Sequence, residues 1–266
     1  DCDDGDSSIY PGAPEVLDDG TDQDCDGGDD LTCMGDHEVT GDSESEMNAL
    51  EYCAVITGTL NIANNPTLTN LDWLSNLTRV IGHLTITDNG ALLGVNGLSN
   101  VTTVLTNLVI KNNAVLSNLD GLASLTSVGG TLDISSNDAL TNIDGLTSLT
   151  SVGGNLYIRY NLALTNIDGL TSLTSVEGNL YITTNDALTN IDGLASLTDV
   201  GEVLFISGNV ALTNIDGLTS LTSVGGDLLI SFNDTLCQSL VDAFVTAMEA
   251  LGWTGGEGTS GNDDSC

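Results

Sequence analysis

The segment LDISSNDALTNIDGLTSLTSVGGN, residues 132–155, decides the fold because it recurs along the chain. Its first Leu returns at a fixed interval as Leu60, Leu84, Leu108, Leu132, Leu156, Leu180, Leu204 and Leu228, with no insertion. Two places later stands an Ile, from Ile62 to Ile230. Five places later stands an Asn: Asn65, Asn89, Asn113, Asn137, Asn161, Asn185, Asn209 and Asn233. A second Leu column runs from Leu68 to Leu236. Self-similarity at this period is the signature of a solenoid, in which each repeat is one turn that buries its apolar face only against its neighbours.

Within the unit, Leu-x-Ile alternates and predicts a short strand with Leu and Ile inward. Leu-Thr-Ser-Val predicts a second strand, and Gly-Gly or Glu-Gly turns the chain onward. Seven columns per unit are aliphatic and point to one shared core. An inward Asn at a turn is expected to satisfy buried backbone groups of its own and the next coil; eight ligand-binding amides are the alternative. The Asp column (Asp72, Asp120, Asp144, Asp168, Asp192, Asp216, with Asn96 in register) is read as capping each Ile-Asp-Gly turn through its own backbone. A metal ladder is the competing reading, opposed by repulsion between like charges about 4.8 Å apart.

The ends of the chain break the period. Residues 43–53, SESEMNALEYC, predict a helix with Ser at its start, Glu in its first turn, and Met47 and Leu50 on one face. Residues 239–251, SLVDAFVTAMEAL, predict a second helix with Leu240, Val241, Phe244, Met248 and Leu251 as one core-facing stripe over the last coil. Six cysteines, Cys2, Cys25, Cys33, Cys53, Cys237 and Cys266, lie outside the repeats. Six allow 15 pairings. Nearest neighbours give Cys2–Cys25, Cys33–Cys53 and Cys237–Cys266, as befits an oxidising compartment; zinc is the competing reading, without a CxxC spacing to support it.

Residues 1–30 read DCDDGDSSIYPGAPEVLDDGTDQDCDGGDD. Clustered Asp with intervening Gly is what a hard cation requires, namely several oxygens on a loop that can turn sharply. Asp22, Asp24 and Asp26 before Gly27 match the first half of a D-x-D-x-D-G calcium loop. Asp1, Asp3, Asp4 and Asp6 form a second cluster that Glu15 closes. Ca2+ is the expected ion, against the alternative of a solvated acidic tail. The chain has 266 residues, 38 acids against 3 basic residues, and a net charge of −35. That balance excludes nucleic acid and direct membrane insertion, and no apolar run reaches the ~18–20 residues of a membrane span. The missing initiator Met reads as processing or truncation, with polypeptide expected upstream of the motif.

Two resemblances sharpen this reading. CAVITGTLNIANNPTLTNLDWLSNLTRVIGHLTI, residues 53–86, resembles the receptor L-domain, the leucine-rich module of growth-factor and insulin receptor ectodomains. The resemblance runs from about 33 to 266. It implies a right-handed, mainly β solenoid with three short sheets, and an N-terminal cap holding a helix and a disulfide. Residues 1–30 resemble the MopE-type metal-binding repeat of bacterial extracellular proteins, with a likeness to thrombospondin type 3 repeats. Cys2, Pro11, Gly12, Ala13, Glu15 and Cys25 match, and Leu17 stands where that family has a middle Cys. The organisation expected is therefore an acidic calcium-binding motif over 1–32, a disulfide-linked cap over 33–59, eight coils over 60–236, and a helical cap with a tied tail over 237–266.

Nothing in the sequence marks an enzyme. His37 and His83 are isolated, and no GxSxG, P-loop or HExxH is present. The outward column of the Leu-x-Ile strand is more informative: Asn61, Thr85, Val109, Asp133, Tyr157, Tyr181, Phe205, Leu229. Contiguous Tyr157, Tyr181, Phe205 and Leu229, flanked by Arg159, Tyr160 and Phe232, mark an interface candidate; a ladder that only stabilises the sheet is the alternative. Ser124/Thr126, Ser148/Thr150, Ser172/Thr174, Ser196/Thr198 and Ser220/Thr222 form an outward hydroxyl grid, either a solubilising face or an ice-binding one. Asn76, Asn100 and Asn233 sit in N-x-T sequons. The chain is thus expected to be an extracellular, secreted or cell-surface structural and adhesive protein that assembles into a layer or filament. Its partners are other copies of itself, or another extracellular protein or glycan. A peptide- or glycan-binding module and an ice-binding solenoid are the alternatives.

Overall fold

The computed structural model describes residues 8–10 and 31–266. The repeats wind into a solenoid with three walls. One wall is a 10-stranded parallel sheet built from the Leu-x-Ile segments, such as Leu156–Arg159. The second is a 9-stranded parallel sheet of shorter strands, two residues long and ending in Val within the repeats, such as Ser151–Val152. The third is a stack of 3-10 turns, Asp144–Leu146 and its equivalents, where the resemblance implied a third sheet. A strand there is blocked by the Asp-Gly-Leu sequence: Asn and Asp favour local turns over a ladder.

All seven aliphatic columns enter the core. In one coil Leu156, Ile158, Leu164, Ile167, Leu170, Leu173 and Val176 are each fully buried. Register is exact from coil to coil, Leu156 beside Leu180 and Tyr157 beside Tyr181.

The Asn column forms one continuous buried ladder. Asn161 Nδ2 donates to Ile134 O of the preceding coil at 3.0 Å, and its Oδ1 accepts the Asn137 N–H at 3.1 Å. The side chain thus serves the coil before it, while its own N–H is taken by Asn185 of the coil after it at 3.1 Å. Burial of Asn233 as a rung also closes its sequon to modification in the folded chain.

The Asp column does not cap its turns. Each Asp side chain is exposed, and the cap comes from the Asn two residues earlier: Asn142 Oδ1 accepts the Asp144 N–H at 3.2 Å, and Asn166 does the same for Asp168 at 3.1 Å. The Asn side chain reaches forward to the N–H two residues on, as in an Asx turn, which leaves the Asp side chain free to face water. The Gly after that Asp is a steric necessity. A Cβ on Gly169 would lie 1.8 Å from Ile143 O of the preceding coil, and the other interior coils are equally tight. The first coil has Trp73 in this column, packed against the core.

The N-terminal cap is itself a modified coil. Leu31–Cys33 and His37–Thr40 already pair in the two sheets, and Cys33 is bonded to Cys53 of the adjacent strand. The helix expected over 43–53 is shorter, α1 (Glu44–Asn48), because the chain must leave it to begin the strand Cys53–Ile56. Ser43 precedes it without capping it; its hydroxyl meets Ser45 instead. Leu50 is buried and Met47 packs against the core.

At the other end, α2 (Gln238–Ala250) covers the last coil with Val241, Val245 and Met248 buried. The predicted stripe is rotated: Val245 replaces Leu240 and Leu251, which are 40% and 58% exposed. Those two, with Phe244, Ile215, Leu218 and Leu221, line an apolar hollow of about 340 Å³. The tail then returns, Cys237 bonded to Cys266, and Glu257–Gly258 adds the final strand of the larger sheet. Asn262 completes the Asn ladder, its Oδ1 accepting the Asn233 N–H at 3.2 Å.

Three substitutions test this packing. Gly169→Ala should cost about 3 kcal/mol or more by urea denaturation, since backbone must move to admit the methyl. Thr147→Ala, at an exposed column already held by Ala in other coils, should change the midpoint little. Asn161→Leu should cost about 2–5 kcal/mol, because it strands the Ile134 carbonyl and the Asn137 amide in the core.

Candidate functional site

The outward face of the larger sheet gathers the interface candidates. Tyr157, Tyr181, Phe205 and Leu229 stand in direct register on adjacent strands. The Tyr157 and Tyr181 rings are 5.3 Å apart and tilted by 54°, and Tyr181 and Phe205 are 5.4 Å apart, edge to face. Such pairs stabilise a sheet by about 0.5–1.5 kcal/mol each, so the row serves the fold and all four side chains are half-buried. Arg159 closes its N-terminal end, with its guanidinium 4.4 Å from the Tyr157 ring centroid and 3.1 Å from Asp133.

Tyr160 and Phe232 differ from that row. They are 51% and 62% exposed, and each lies in the left-handed region, with φ of 58° and 56°. This is the position before the ladder Asn, where every coil bends out of the strand. Other coils place Asn64, Asp88, Asn112, Ser136, Thr184 or Gly208 there. Gly, Asn and Asp tolerate positive φ, whereas β-branched and bulky side chains pay for it, so the bend is imposed by the coil and costs most at Thr184, Tyr160 and Phe232. Phe232 leans on the tail, where a Cβ on Gly261 would meet its ring at 2.7 Å. Tyr160 has no comparable support from a glycine.

Between the aromatic row and this edge runs a column of small hydroxyl side chains, Thr183, Ser207 and Ser231, with the Ser207 and Ser231 hydroxyls 3.4 Å apart. The returning tail adds Ser260, whose carbonyl accepts the Phe232 N–H. Sequence reasoning read outward aromatics but not this column. Its signal was present in the alternation Tyr-Ile-Thr, Phe-Ile-Ser, Leu-Ile-Ser at fixed spacing; the contribution of the tail had no periodic signal.

The hydroxyl grid on the smaller sheet is differently employed. Its Thr residues are exposed, but each hydroxyl donates to a carbonyl of the preceding coil, Thr150 to Thr126 O and Thr174 to Thr150 O, both at 3.0 Å. His83 is exposed, and its Nδ1 accepts the Asn107 N–H at 3.3 Å. Asn107, Asn155, Asn179 and Asp227 extend that corner pattern. His37 occupies the register of Leu60, and its Nε2 is buried without a partner. Among the described residues no group of His, Cys, Asp or Glu is placed to hold a metal ion, and no helix is long and apolar enough to cross a membrane. The expected ligands Asp1, Asp3, Asp4, Asp6, Glu15, Asp22, Asp24 and Asp26, with Cys2 and Cys25, lie outside the described residues.

With this geometry in place, two family models match the chain in the order the sequence implied. Residues 1–30 match the Cu-binding MopE metal-binding motif. Residues 29–120 match the Receptor L domain. No curated protein and no solved structure matches. The coils beyond residue 120 continue the same strand register through Leu228–Ser231. The two matches, with the disulfides at both ends of the solenoid, fit an extracellular type of binding module.

Tyr157 carries a titration that reports on the face. Burial holds its phenol above the ordinary value of 10.0, and Tyr181 adds to the effect, while Arg159 opposes it. The neutral phenol is the form the fold favours, so this contribution to stability is complete below pH 10.0 and is lost as pH rises through the folded value. Absorbance titration should show a late-ionising tyrosine that disappears in Tyr157→Phe.

Proposed function

We propose that this chain is a non-enzymatic extracellular protein in which an acidic head holds calcium, the solenoid acts as a rigid spacer, and the aromatic face makes adhesive contacts. The observation that carries the reading is the pair Tyr160 and Phe232. Both are large, exposed and in a backbone conformation that costs stability. Phe232 leans on the tail, whereas Tyr160 bears the strain without such a return, which is a pointer to function.

Calcium is favoured over copper by the donor set. Residues 1–30 contain twelve carboxylates, no His or Met, and two cysteines, Cys2 and Cys25, whose expected pairing withholds their sulfur from a metal. Oxygen-rich loops suit a hard cation, whereas copper prefers imidazole and sulfur. An ion would also offset repulsion among acids that otherwise opposes compaction. Self-assembly into a filament or layer is a second reading, supported by the parallel edges that the larger sheet presents at His37–Thr40 and Glu257–Gly258. An ice-binding surface is less well supported, because the Thr hydroxyl protons of the grid are committed to carbonyls.

Melting of the non-reduced chain with and without a calcium chelator tests the head. Chelation should lower a transition belonging to residues 1–32 and leave the solenoid transition in place. Identical melts, or saturable binding of copper with none of calcium, would rule the assignment out.

A further inference from the structure

The aromatic face also carries information about what it contacts. This inference rests on the reading of that face as the contact surface and goes on to the class of ligand. Across the last four coils the outward residues are Tyr157, Arg159 and Tyr160, then Tyr181, Thr183 and Thr184, then Phe205, Ser207 and Gly208, then Leu229 and Phe232, with Ser231 buried between them. In a chain of net charge −35 this strip holds no acid, and its Arg159 is paired with Asp133. Glu202 and Asp227 lie to one side of it, and Asp186 and Asp234 to the other. The strip is therefore a neutral island within an acidic surface. A polyanion is repelled by the surroundings, and a polycation has better partners everywhere else.

The strip is also linear and periodic. Its repeat is the spacing between coils, about 4.8 Å, seen in ring separations of 5.3 and 5.4 Å. Tyr160 and Phe232 stand three coils apart, about 14 Å at that spacing. Between them Thr183 and Ser207 stand in register along the solenoid axis, and the buried Ser231 hydroxyl donates to Ser207 at 3.4 Å. An extended peptide advances about 3.3 Å per residue and falls out of step with such a row. A chain of β-linked hexopyranoses advances by close to one coil per sugar, is uncharged, and offers both apolar C–H faces for aromatic rings and hydroxyls for Ser and Thr.

We propose that this strip binds a neutral β-1,4-linked polysaccharide laid along the solenoid axis. Tyr160 and Phe232 pack against sugars at the two ends, and Thr183 and Ser207 meet the sugar hydroxyls between them.

Calorimetric titration of the full, calcium-loaded chain with cellohexaose and chitohexaose tests this, with maltohexaose and a polyuronate as comparison ligands. At least one β-linked hexasaccharide should bind, and affinity should rise with chain length from the disaccharide and level off near the length of the strip. Tyr160→Ala and Ser207→Val should each weaken binding by roughly tenfold or more with the melting profile unchanged. Binding of neither β-linked hexasaccharide at about 1 mM, equal binding of maltohexaose, or binding indifferent to Tyr160→Ala would overturn the proposal. The wider reading of the face as a contact surface fails separately. It falls if Tyr160→Ala with Phe232→Ala leaves capture of the chain by its native surface or by other copies unaltered.

Discussion

Everything in this molecule depends on how closely one coil approaches the next. The distance is fixed by backbone hydrogen bonds in two parallel sheets, and at that distance a methyl group on the Asp-Gly-Leu glycine would collide with a carbonyl of the preceding coil. The buried Asn ladder exists for the same reason. Each coil bends sharply out of its strand, and the bend leaves a carbonyl and an amide with no water to bond. One amide side chain per coil has a donor and an acceptor to satisfy both. A core with identical neighbours above and below then permits no drift in register, and the period holds without an insertion over eight coils.

The ends are the places where that logic must stop. At the N-terminal end the Asp42 amide bonds Asn65 Oδ1 at 2.8 Å, and the first coils accept departures such as Trp73. At the C-terminal end Asn262 supplies a ninth rung from outside the repeats, tied in place by the Cys237–Cys266 bond. The larger sheet is continued by the tail, whereas α2 only partly replaces a coil over the 3-10 wall. That difference explains the slight exposure of Ile215, at 6%, and the smaller sheet ends at Ser223–Val224, which leaves Val224 8% exposed, in columns that are sealed elsewhere.

Outward columns are released from these constraints, and there the coils differ from one another. The column Asn61, Thr85, Val109, Asp133, Tyr157, Tyr181, Phe205, Leu229 changes character along the rod, while the Leu on one side of it and the Ile on the other do not. Aromatic residues gather at the C-terminal half, and two of them occupy a bend where Gly or Asn would cost less. A rigid scaffold with a variable face separates stability from recognition, and the acidic remainder of the surface keeps the neutral strip distinct.

The period, the two strand segments, the seven core columns and the aromatic row were legible in the sequence, because each is a local pattern repeated often enough to exclude accident. The pairing of Cys33 with Cys53 and of Cys237 with Cys266 followed from nearest neighbours. The pattern points to Asp144 and its equivalents as turn caps because Asn and Asp both suit such turns, and only geometry shows that the Asn two residues earlier accepts the N–H. The rotation of α2 was misread because a helix of this composition has several plausible apolar stripes, and the last coil selects among them. Sequence by itself determined that this chain is a rod of stacked turns, since identical units can bury their apolar sides only against copies of themselves. Tertiary structure alone decided that the third wall is a stack of 3-10 turns, that the tail completes the Asn ladder, and that Thr183, Ser207 and Ser231 lie beside an aromatic wall. Those outcomes depend on residues far apart in the chain meeting across the coil spacing, a distance no linear pattern encodes.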